Sequence, residues 1–194
     1  QTIGGGSFWE CTSLENIIIP NSVTTIEDRV FEGCTKLSYI TLGDSLKTIG
    51  EYAFHRCDVF NTVNVSKLDV FFNEFHFGND DANPFSKAST LHVNGKEVTE
   101  LVIPDGVEEI RGGFFYNFGK NVTSVTIANS VKNIGDRAFS DWTNLSQVSF
   151  GESLKTIGIE AFWKCTALES VVFPNSLDSI MARAFEGCSK LSSV

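Results

Sequence analysis

The feature that most constrains this chain is an isoleucine that returns about every 23 residues. Successive copies are separated by 23, 23, 61, 24, 23 and 23 residues, so one long gap interrupts an otherwise regular series. A period of this length is typical of solenoid proteins, in which each repeat is one structural unit that stacks on the next. The members of the series are Ile3, Ile26, Ile49, Ile110, Ile134, Ile157 and Ile180.

Several other columns of residues keep step with these isoleucines. A phenylalanine follows each of them, then a cysteine or a larger aromatic residue, then a leucine-like residue, and finally two apolar residues spaced two apart, such as Ile17 and Ile19. The spacing of two predicts a short strand with alternate side chains inward. The phenylalanine column is Phe8, Phe31, Phe54, Phe115, Phe139, Phe162 and Phe185, and the next column is Cys11, Cys34, Cys57, Phe118, Trp142, Cys165 and Cys188.

These columns predict an α/β repeat solenoid, with a parallel β-sheet on one side and short helical or 3₁₀ turns on the other. Gaps of three to five residues between the isoleucine, phenylalanine and cysteine columns favour a helical turn there. A single repeat cannot cover its own apolar face, so each column should stack on its counterpart in the next coil. We expect residues 1–194 to form one domain of about seven coils.

The long gap predicts an insertion, residues 66–100, between two successive coils. Ser66 is a candidate cap for a short helix, and Asn94-Gly95 is typical of a type I′ hairpin turn. Because the segment is rich in aromatic residues, we expect it to pack on the solenoid as a coil of its own, with Phe85 in place of the repeat phenylalanine. The strands on either side are predicted at Val63 with Val65 and at Leu101 with Ile103.

The charge balance argues against several classes of partner. With 15 basic and 24 acidic residues the net charge is −9, which disfavours nucleic acid and anionic membranes. No apolar run reaches the roughly 18 residues that a membrane-spanning helix needs. The first residues, Gln1 to Gly4, do not resemble a signal peptide. Neither end shows a polar capping repeat, so we expect a monomeric piece of a longer array with both ends truncated.

The five cysteines occupy a single repeat column, which predicts free, buried thiols stacked between coils. Cys34 and Cys57 would lie about one strand spacing apart, close enough for a disulfide by Cα distance, although their parallel side-chain directions disfavour one. A metal site needs ligands that converge on one point, and ligands strung along an axis do not provide this.

The sequence contains no recognisable catalytic motif. His76 and His92 fall in the insertion together with Asp80 and Asp81, so a metal or acid/base site there is an alternative, although no metal-ligand spacing supports it. No Gly-x-Ser-x-Gly nucleophile motif occurs. We therefore predict no catalytic residue, no metal and no cofactor.

Residues 168–188 read Leu-x-x-Val-x-Phe-Pro-x-Ser-Leu-x-x-Ile-x-x-x-Ala-Phe-x-x-Cys, which resembles the BspA-like class of leucine-rich repeats. The resemblance extends over essentially the whole chain, although Gly112-Gly113-Phe114-Phe115 departs from the Ala-Phe element. It implies a right-handed leucine-rich-repeat superhelix. It also implies an extracellular or cell-surface protein of bacteria or protists that adheres to host matrix proteins or to other cells.

The outward positions of the predicted strands are the candidate ligand-binding face. They are small, uncharged and partly apolar, and solenoids tend to bind through an extended concave surface. A solvated sheet face is the alternative, since Thr and Val suit strands in any case. We expect a protein or glycan ligand, such as extracellular matrix; a structural spacer and an enzyme site in 66–100 are the rival interpretations. The predicted face comprises Ile18, Tyr39, Thr41, Asn64, Val102, Thr126, Gln147, Ser149 and Val172.

Overall fold

A computed structural model describes residues 1–73, 75–115 and 118–194. The chain divides into two compact units, Gln1–Glu97 and Val98–Val194. Each unit is a stack of coils, and neighbouring coils are joined by two separate parallel ladders of short strands. The predicted repeat solenoid is therefore confirmed at the level of stacked coils and parallel strands.

The first unit contains nine strands and two short helices among its described residues. Its first sheet has the order β2-β4-β6-β8-β9 and its second sheet the order β1-β3-β5-β7. The elements are β1 (Thr2–Ile3), β2 (Asn16–Ile18), β3 (Thr25–Ile26), β4 (Tyr39–Thr41), β5 (Thr48–Ile49), β6 (Thr62–Val65), α1 (Asp69–Asn73), β7 (His76–Phe77), a 3₁₀ turn (Asp80–Ala82), α2 (Pro84–Lys87), β8 (Thr90–Val93) and β9 (Lys96–Glu97).

The second unit repeats this arrangement. One sheet has the order β10-β12-β14 and the other the order β11-β13-β15-β16, and every pairing is parallel. The elements are β10 (Glu100–Ile103), β11 (Glu109–Ile110), β12 (Ser124–Ile127), β13 (Asn133–Ile134), β14 (Gln147–Ser149), β15 (Thr156–Ile157) and β16 (Ser179–Ile180).

The repeat isoleucines and the turns after them differ from the sequence expectation. Each isoleucine ends a two-residue strand, as in the pairing of Ile26 with Ile49. The segment behind it forms single hydrogen-bonded turns, and short helices occur only within 69–87 of the described residues. In one coil the N–H of Arg29 donates to Glu51 and that of Phe31 to Ala53 in the next coil, whereas Glu32 N–H donates back to Arg29. Because alternate N–H groups donate to carbonyls of the neighbouring coil, a continuous 3₁₀ helix cannot form.

Left-handed backbone conformations recur at one position in these turns. Arg29, Arg137, Glu160 and Arg183 have φ between 56° and 59°, a conformation that non-glycine residues adopt with difficulty. The inter-coil hydrogen bond of Arg29 N–H starts from this residue. This left-handed residue thus orients the backbone N–H toward the next coil. The hydrogen bonds between stacked coils stabilise the strained conformation.

The phenylalanine column forms a stacked row inside each unit. Ring centroids of Phe8 and Phe31 lie 5.4 Å apart and those of Phe31 and Phe54 lie 5.5 Å apart. In the second unit, Phe162 lies 5.2 Å from Phe139 and 5.1 Å from Phe185. These offset-stacked distances are in the favourable range for aromatic pairs. Stacking of like residues in successive coils is therefore confirmed within each unit.

The insertion forms a coil of its own, as its aromatic content predicts. Strand β7 pairs with β5 and strand β8 pairs with β6, so the segment occupies the next place in both ladders of the first unit. Phe85 is buried, and its ring lies edge-on at 5.3 Å from that of Phe71. Asn94 and Gly95 have φ of 53° and 75°, which confirms the predicted hairpin turn.

One detail of the insertion corrects the sequence interpretation, whereas the two strands predicted beside it are present as β6 (Thr62–Val65) and β10 (Glu100–Ile103). Ser66 does not cap α1, which begins at Asp69; the Ser66 hydroxyl donates instead to Asp44 of the preceding coil. The Ser66 side chain therefore forms a hydrogen bond between coils and does not cap the helix.

All five cysteines are free, as predicted. Each buried thiol donates a hydrogen bond to a phenylalanine carbonyl of the preceding coil: Cys57 Sγ lies 3.1 Å from the oxygen of Phe31, and Cys165 Sγ lies 3.3 Å from that of Phe139. Burial raises the pKa of Cys57 to about 12, so this thiol stays protonated at neutral pH. The cysteine column thus links coils through S–H donors as well as by packing.

A thiol reagent is expected to separate Cys11 from the other four cysteines. Cys11 is exposed, whereas Cys34, Cys57, Cys165 and Cys188 are buried. Buried thiols react slowly because the reagent cannot reach them, so native protein should show one fast thiol and unfolded protein five. The measurement is reagent uptake with and without denaturant, and Cys11→Ser should remove the fast phase. A second fast thiol in native protein would contradict the buried column.

Candidate ligand-binding face

The outward residues of β2, β4, β6 and β8 form what we call the first strand face. The parallel register aligns Ile18, Thr41, Asn64 and His92 in one row. Ile18 is 71% exposed, although it lies within a strand. Four residues of the predicted face, Ile18, Tyr39, Thr41 and Asn64, are therefore brought together on this surface.

A shallow groove of about 320 Å³ runs along the first strand face, at the carboxyl ends of its strands. Asn64 is held in place there, because its amide donates to Thr41 Oγ1 at 3.2 Å and accepts from Gly95 N–H at 2.9 Å. The amide of Asn94 donates to the carbonyl of Ser66 at 3.0 Å. The groove is lined by Ile18, Ile19, Pro20, Asn21, Thr41, Leu42, Gly43, Asp44, Asn64, Val65, Ser66 and Asn94.

An aromatic pair adds to the first strand face. The ring of Tyr39 meets that of His92 edge-on, with centroids 6.0 Å apart. Sequence reasoning missed His92 and Asn94 as members of this surface, because it treated the segment around them as a hairpin and not as a paired strand of the sheet. The alignment of Leu91 and Val93 with Val63 and Val65 was the available signal.

The outward residues of β10, β12, β14 and residues 170–172 form the second strand face. Val102 aligns with Thr126, and Thr126 with Ser149. Val102, within β10, is 61% exposed, and Val172, two residues after the isolated bridge at Ser170, is 82% exposed. The other five predicted residues lie on this surface: Val102, Thr126, Gln147, Ser149 and Val172.

The second strand face is interrupted by a gap between β14 and residues 170–172, which we call the open seam. In other coils the backbone is hydrogen-bonded at the corresponding position: Ile19 N–H donates to the carbonyl of Thr41 at 2.8 Å, and Leu42 N–H donates to the carbonyl of Asn64 at 2.9 Å. Among the described residues, no hydrogen bond joins β14 to residues 170–172, whereas Val171 N–H donates onward to Ser193 at 3.2 Å. Residues 170–172 therefore make no hydrogen bond on the side of β14 but are hydrogen-bonded on the side of Ser193.

Two phenylalanines lie beside the open seam. Phe150 and Phe173 occupy the inward position that holds Ile19 and Leu42 in other coils, and their stacked rings lie 5.7 Å apart. The rings of Phe8 and Phe31 stack at a similar 5.4 Å where the coils are joined by hydrogen bonds, so the ring stack alone does not explain the gap. The gap is part of a groove of about 480 Å³, lined by Gln147, Val148, Ser149, Phe150, Glu152, Ser170, Val172, Phe173 and Pro174.

The structure does not assemble the alternative metal or acid/base site. His76 lies in β7 and His92 in β8, which belong to different sheets of the first unit. Asp81 instead contacts Lys87 at 2.6 Å and His55 at 3.1 Å, and the hydrogen bond from Lys87 lowers the pKa of Asp81. Within 1–73, 75–115 and 118–194, no three His, Cys, Asp or Glu side chains are grouped in a way that suits a metal ion.

No helix in the described part of the chain is both long enough and apolar enough to cross a bilayer. The two α-helices extend over Asp69–Asn73 and Pro84–Lys87 only. In the part of the chain that the structure describes, the helices therefore lie only in the coil that the insertion forms.

The stacked parallel coils define a leucine-rich-repeat type of solenoid. The BspA type leucine rich repeat region, in 6 copies, matches residues 1–90 and 89–194. The chain belongs to this family, as the Ala-Phe-x-x-Cys pattern predicts.

Solved structures of leucine-rich repeat proteins are similar to this chain. The T. pallidum leucine rich repeat protein is 24% identical, with 86% of this chain and 71% of that chain covered and a TM-score of 0.49. A leucine rich cell surface protein from Faecalibacterium prausnitzii A2-165 is 21% identical, with coverage of 98% and 75% and a TM-score of 0.48. A leucine-rich repeat protein from Bacteroides capillosus is 28% identical, with coverage of 48% and 74% and a TM-score of 0.42. A search of curated proteins gives no match.

Proposed function

We propose that this chain is a non-enzymatic interaction module of a cell-surface or secreted protein, and that it captures a protein or glycan ligand on its strand faces. Adhesion to host matrix or to other cells is the activity that fits best. The observation that carries the proposal is the exposure of apolar side chains on the strand faces, with Ile18 and Val102 in hydrogen-bonded strands and Val172 beside the open seam. Apolar side chains held in water on these faces give a partner apolar area to bury.

Two further features support the proposal. The polar groups of the first strand face are fixed by hydrogen bonds between coils, such as that from Asn64 to Thr41, which lowers the entropy lost on binding. Membership of the BspA-type family supports placement at the cell surface, since one structurally similar protein is named a cell surface protein and another a pneumococcal vaccine antigen.

Placing a lysine at the centre of each strand face is expected to weaken ligand capture at least about tenfold, or about 1.4 kcal/mol. The variants are Thr41→Lys for the first face and Thr126→Lys for the second. A buried, unpaired ammonium at an interface centre costs free energy, whereas an exposed one on free protein costs little. Binding is measured against arrays of matrix proteins and glycans, first with the unchanged chain to find the ligand.

The matched controls are Thr12→Lys and Thr143→Lys, which place the same charge at exposed threonines in the turns. They should bind as the unchanged chain does, and all variants should keep its melting temperature. Equal capture by the strand-face variants would remove these faces from consideration. Failure of the unchanged chain to bind any array member would favour the structural-spacer interpretation.

A further inference from the structure

The open seam and the charges around it point to one kind of partner. We propose that the seam between β14 and residues 170–172 binds an arginine side chain from an extended segment of a partner protein. This inference rests on the proposed interaction function and deepens it, because it names the chemistry that one part of the second strand face recognises.

The first argument is the set of open hydrogen-bonding groups at the seam. By the pattern of the other coils, the N–H of Phe150 and the carbonyl of Val172 would pair, but no hydrogen bond joins them, so one donor and one acceptor are left open. The hydroxyls of Ser149 and Ser170 and the carboxylate of Glu152 line the same groove and add further acceptors. A guanidinium, with five N–H donors, satisfies these acceptors, and a backbone carbonyl of the extended segment that carries it satisfies the N–H of Phe150.

The second argument is that the second strand face carries carboxylates but no cation. Glu100, Asp105 and Glu152 are exposed, and none of them has an ion-pair partner among the described residues. Two other carboxylates of this unit are paired: Glu108 lies 2.9 Å from Lys132, and Glu160 lies 2.6 Å from Arg137. The acidic charge of this surface is thus left for a partner, and it attracts cations over distances up to about 10 Å at moderate salt.

The third argument is the apolar floor beside these acceptors. Val172 is 82% exposed, and Pro174 and the edges of Phe150 and Phe173 complete the groove. Long cationic side chains bury their methylene stems on apolar surface while the charged head reaches polar groups. The backbone N–H of Glu152 donates to Asn129 Oδ1 at 2.9 Å, which fixes the loop that presents its carboxylate. The methylene stem and the guanidinium of an arginine can therefore contact apolar and acidic surfaces within the same groove.

Arginine is favoured over a sugar for this groove. The outward residues of the second strand face are Glu100, Val102, Ser124, Thr126, Gln147, Ser149, Ser170 and Val172, and none of them presents an aromatic ring on which a sugar could stack. Phe150 and Phe173 contribute only partly exposed rings that are stacked on each other. Binding of a neutral glycan is therefore an alternative outcome of the test below.

The test uses the full chain and three synthetic peptides of equal length, rich in Ser and Val, that carry Arg, Lys or Glu at alternate positions. Binding is measured by calorimetry at low and at physiological salt, and the site is mapped by amide chemical shifts. The arginine peptide should bind saturably and more tightly than the lysine peptide, and the glutamate peptide should not bind. The shifted amides should include Ser149, Phe150 and Val172.

The deciding variant is Glu152→Gln, matched by Glu109→Gln at an exposed carboxylate of β11, in the other sheet. Glu152→Gln should weaken binding of the arginine peptide by about three- to tenfold, and Glu109→Gln by less than about twofold, since a surface charge pair contributes only modestly. Equal losses in both variants would show attraction to net charge alone and would overturn the proposal. A site that prefers a neutral glycan and ignores Glu152→Gln would also overturn it. If the arginine peptide fails while Thr126→Lys still abolishes capture of a natural ligand, only this inference falls and the proposed function stands.

Discussion

Replacing Phe162 by alanine is expected to lower the free energy of unfolding of the second unit by about 3–5 kcal/mol. The ring is fully buried and lies between Phe139 and Phe185, at 5.2 Å and 5.1 Å, so its removal opens a cavity inside the stack. The coils on both sides are fixed by their ladders and cannot collapse to fill that space. Urea unfolding followed by tryptophan fluorescence gives the change.

The matched control for this cavity is Phe185→Ala, in the same column one coil later. Phe185 is only partly buried, although it also contacts Phe162 and Phe173. Its loss should cost clearly less, because part of the ring is already in water. Equal losses for the two variants would contradict the stacked core as the main source of stability.

Gly151→Ala is the second variant for which we expect a large effect, a loss of about 1–3 kcal/mol or more. A Cβ built on Gly151 would lie 2.2 Å from the carbonyl oxygen of Ala128 and 2.6 Å from its carbon. Both contacts are with backbone of the preceding coil, so relief requires the coils to separate and their hydrogen bonds to stretch. Thermal and urea unfolding measure the loss.

Gly4→Ala provides the control for this close approach, because a Cβ there would meet nothing nearer than 3.6 Å, from the Ser7 hydroxyl. Neither glycine has a positive φ, so the comparison isolates steric contact from backbone strain. We expect Gly4→Ala to change stability by less than about 0.5 kcal/mol. A Gly151→Ala variant as stable as Gly4→Ala would show that neighbouring coils can shift apart freely.

The repeat period was sufficient to predict the stacked core. Phe31 and Phe162 recur at a fixed offset from an isoleucine, and in a parallel stack equal offsets bring like residues to equal heights. The strands that end at the isoleucines could not be predicted in this way. Two residues are too few to show alternation, and the strand that ends at Ile26 is defined by its pairing with the coils on both sides.

The candidate faces were predictable from alternation, but their grooves were not. Because side chains alternate along a strand, the inward positions of Leu101 and Ile103 imply that Val102 points outward. Its 61% exposure agrees with this alternation. The open seam lies beside Phe150 and Phe173, and the missing hydrogen bonds there depend on how far apart the two backbones pack. A sequence pattern records that both positions are apolar, and it does not record how far the backbones are held apart.

Strand β9 has a consequence for how the first unit behaves in a crowded solution. Exposed strand edges recruit further strands and so promote aggregation. The edge beyond β8 is occupied by two charged residues, Lys96 and Glu97, in a strand that runs in the opposite direction. A strand of only two charged residues disfavours pairing with a further chain, so this short hairpin protects the edge of the unit against aggregation.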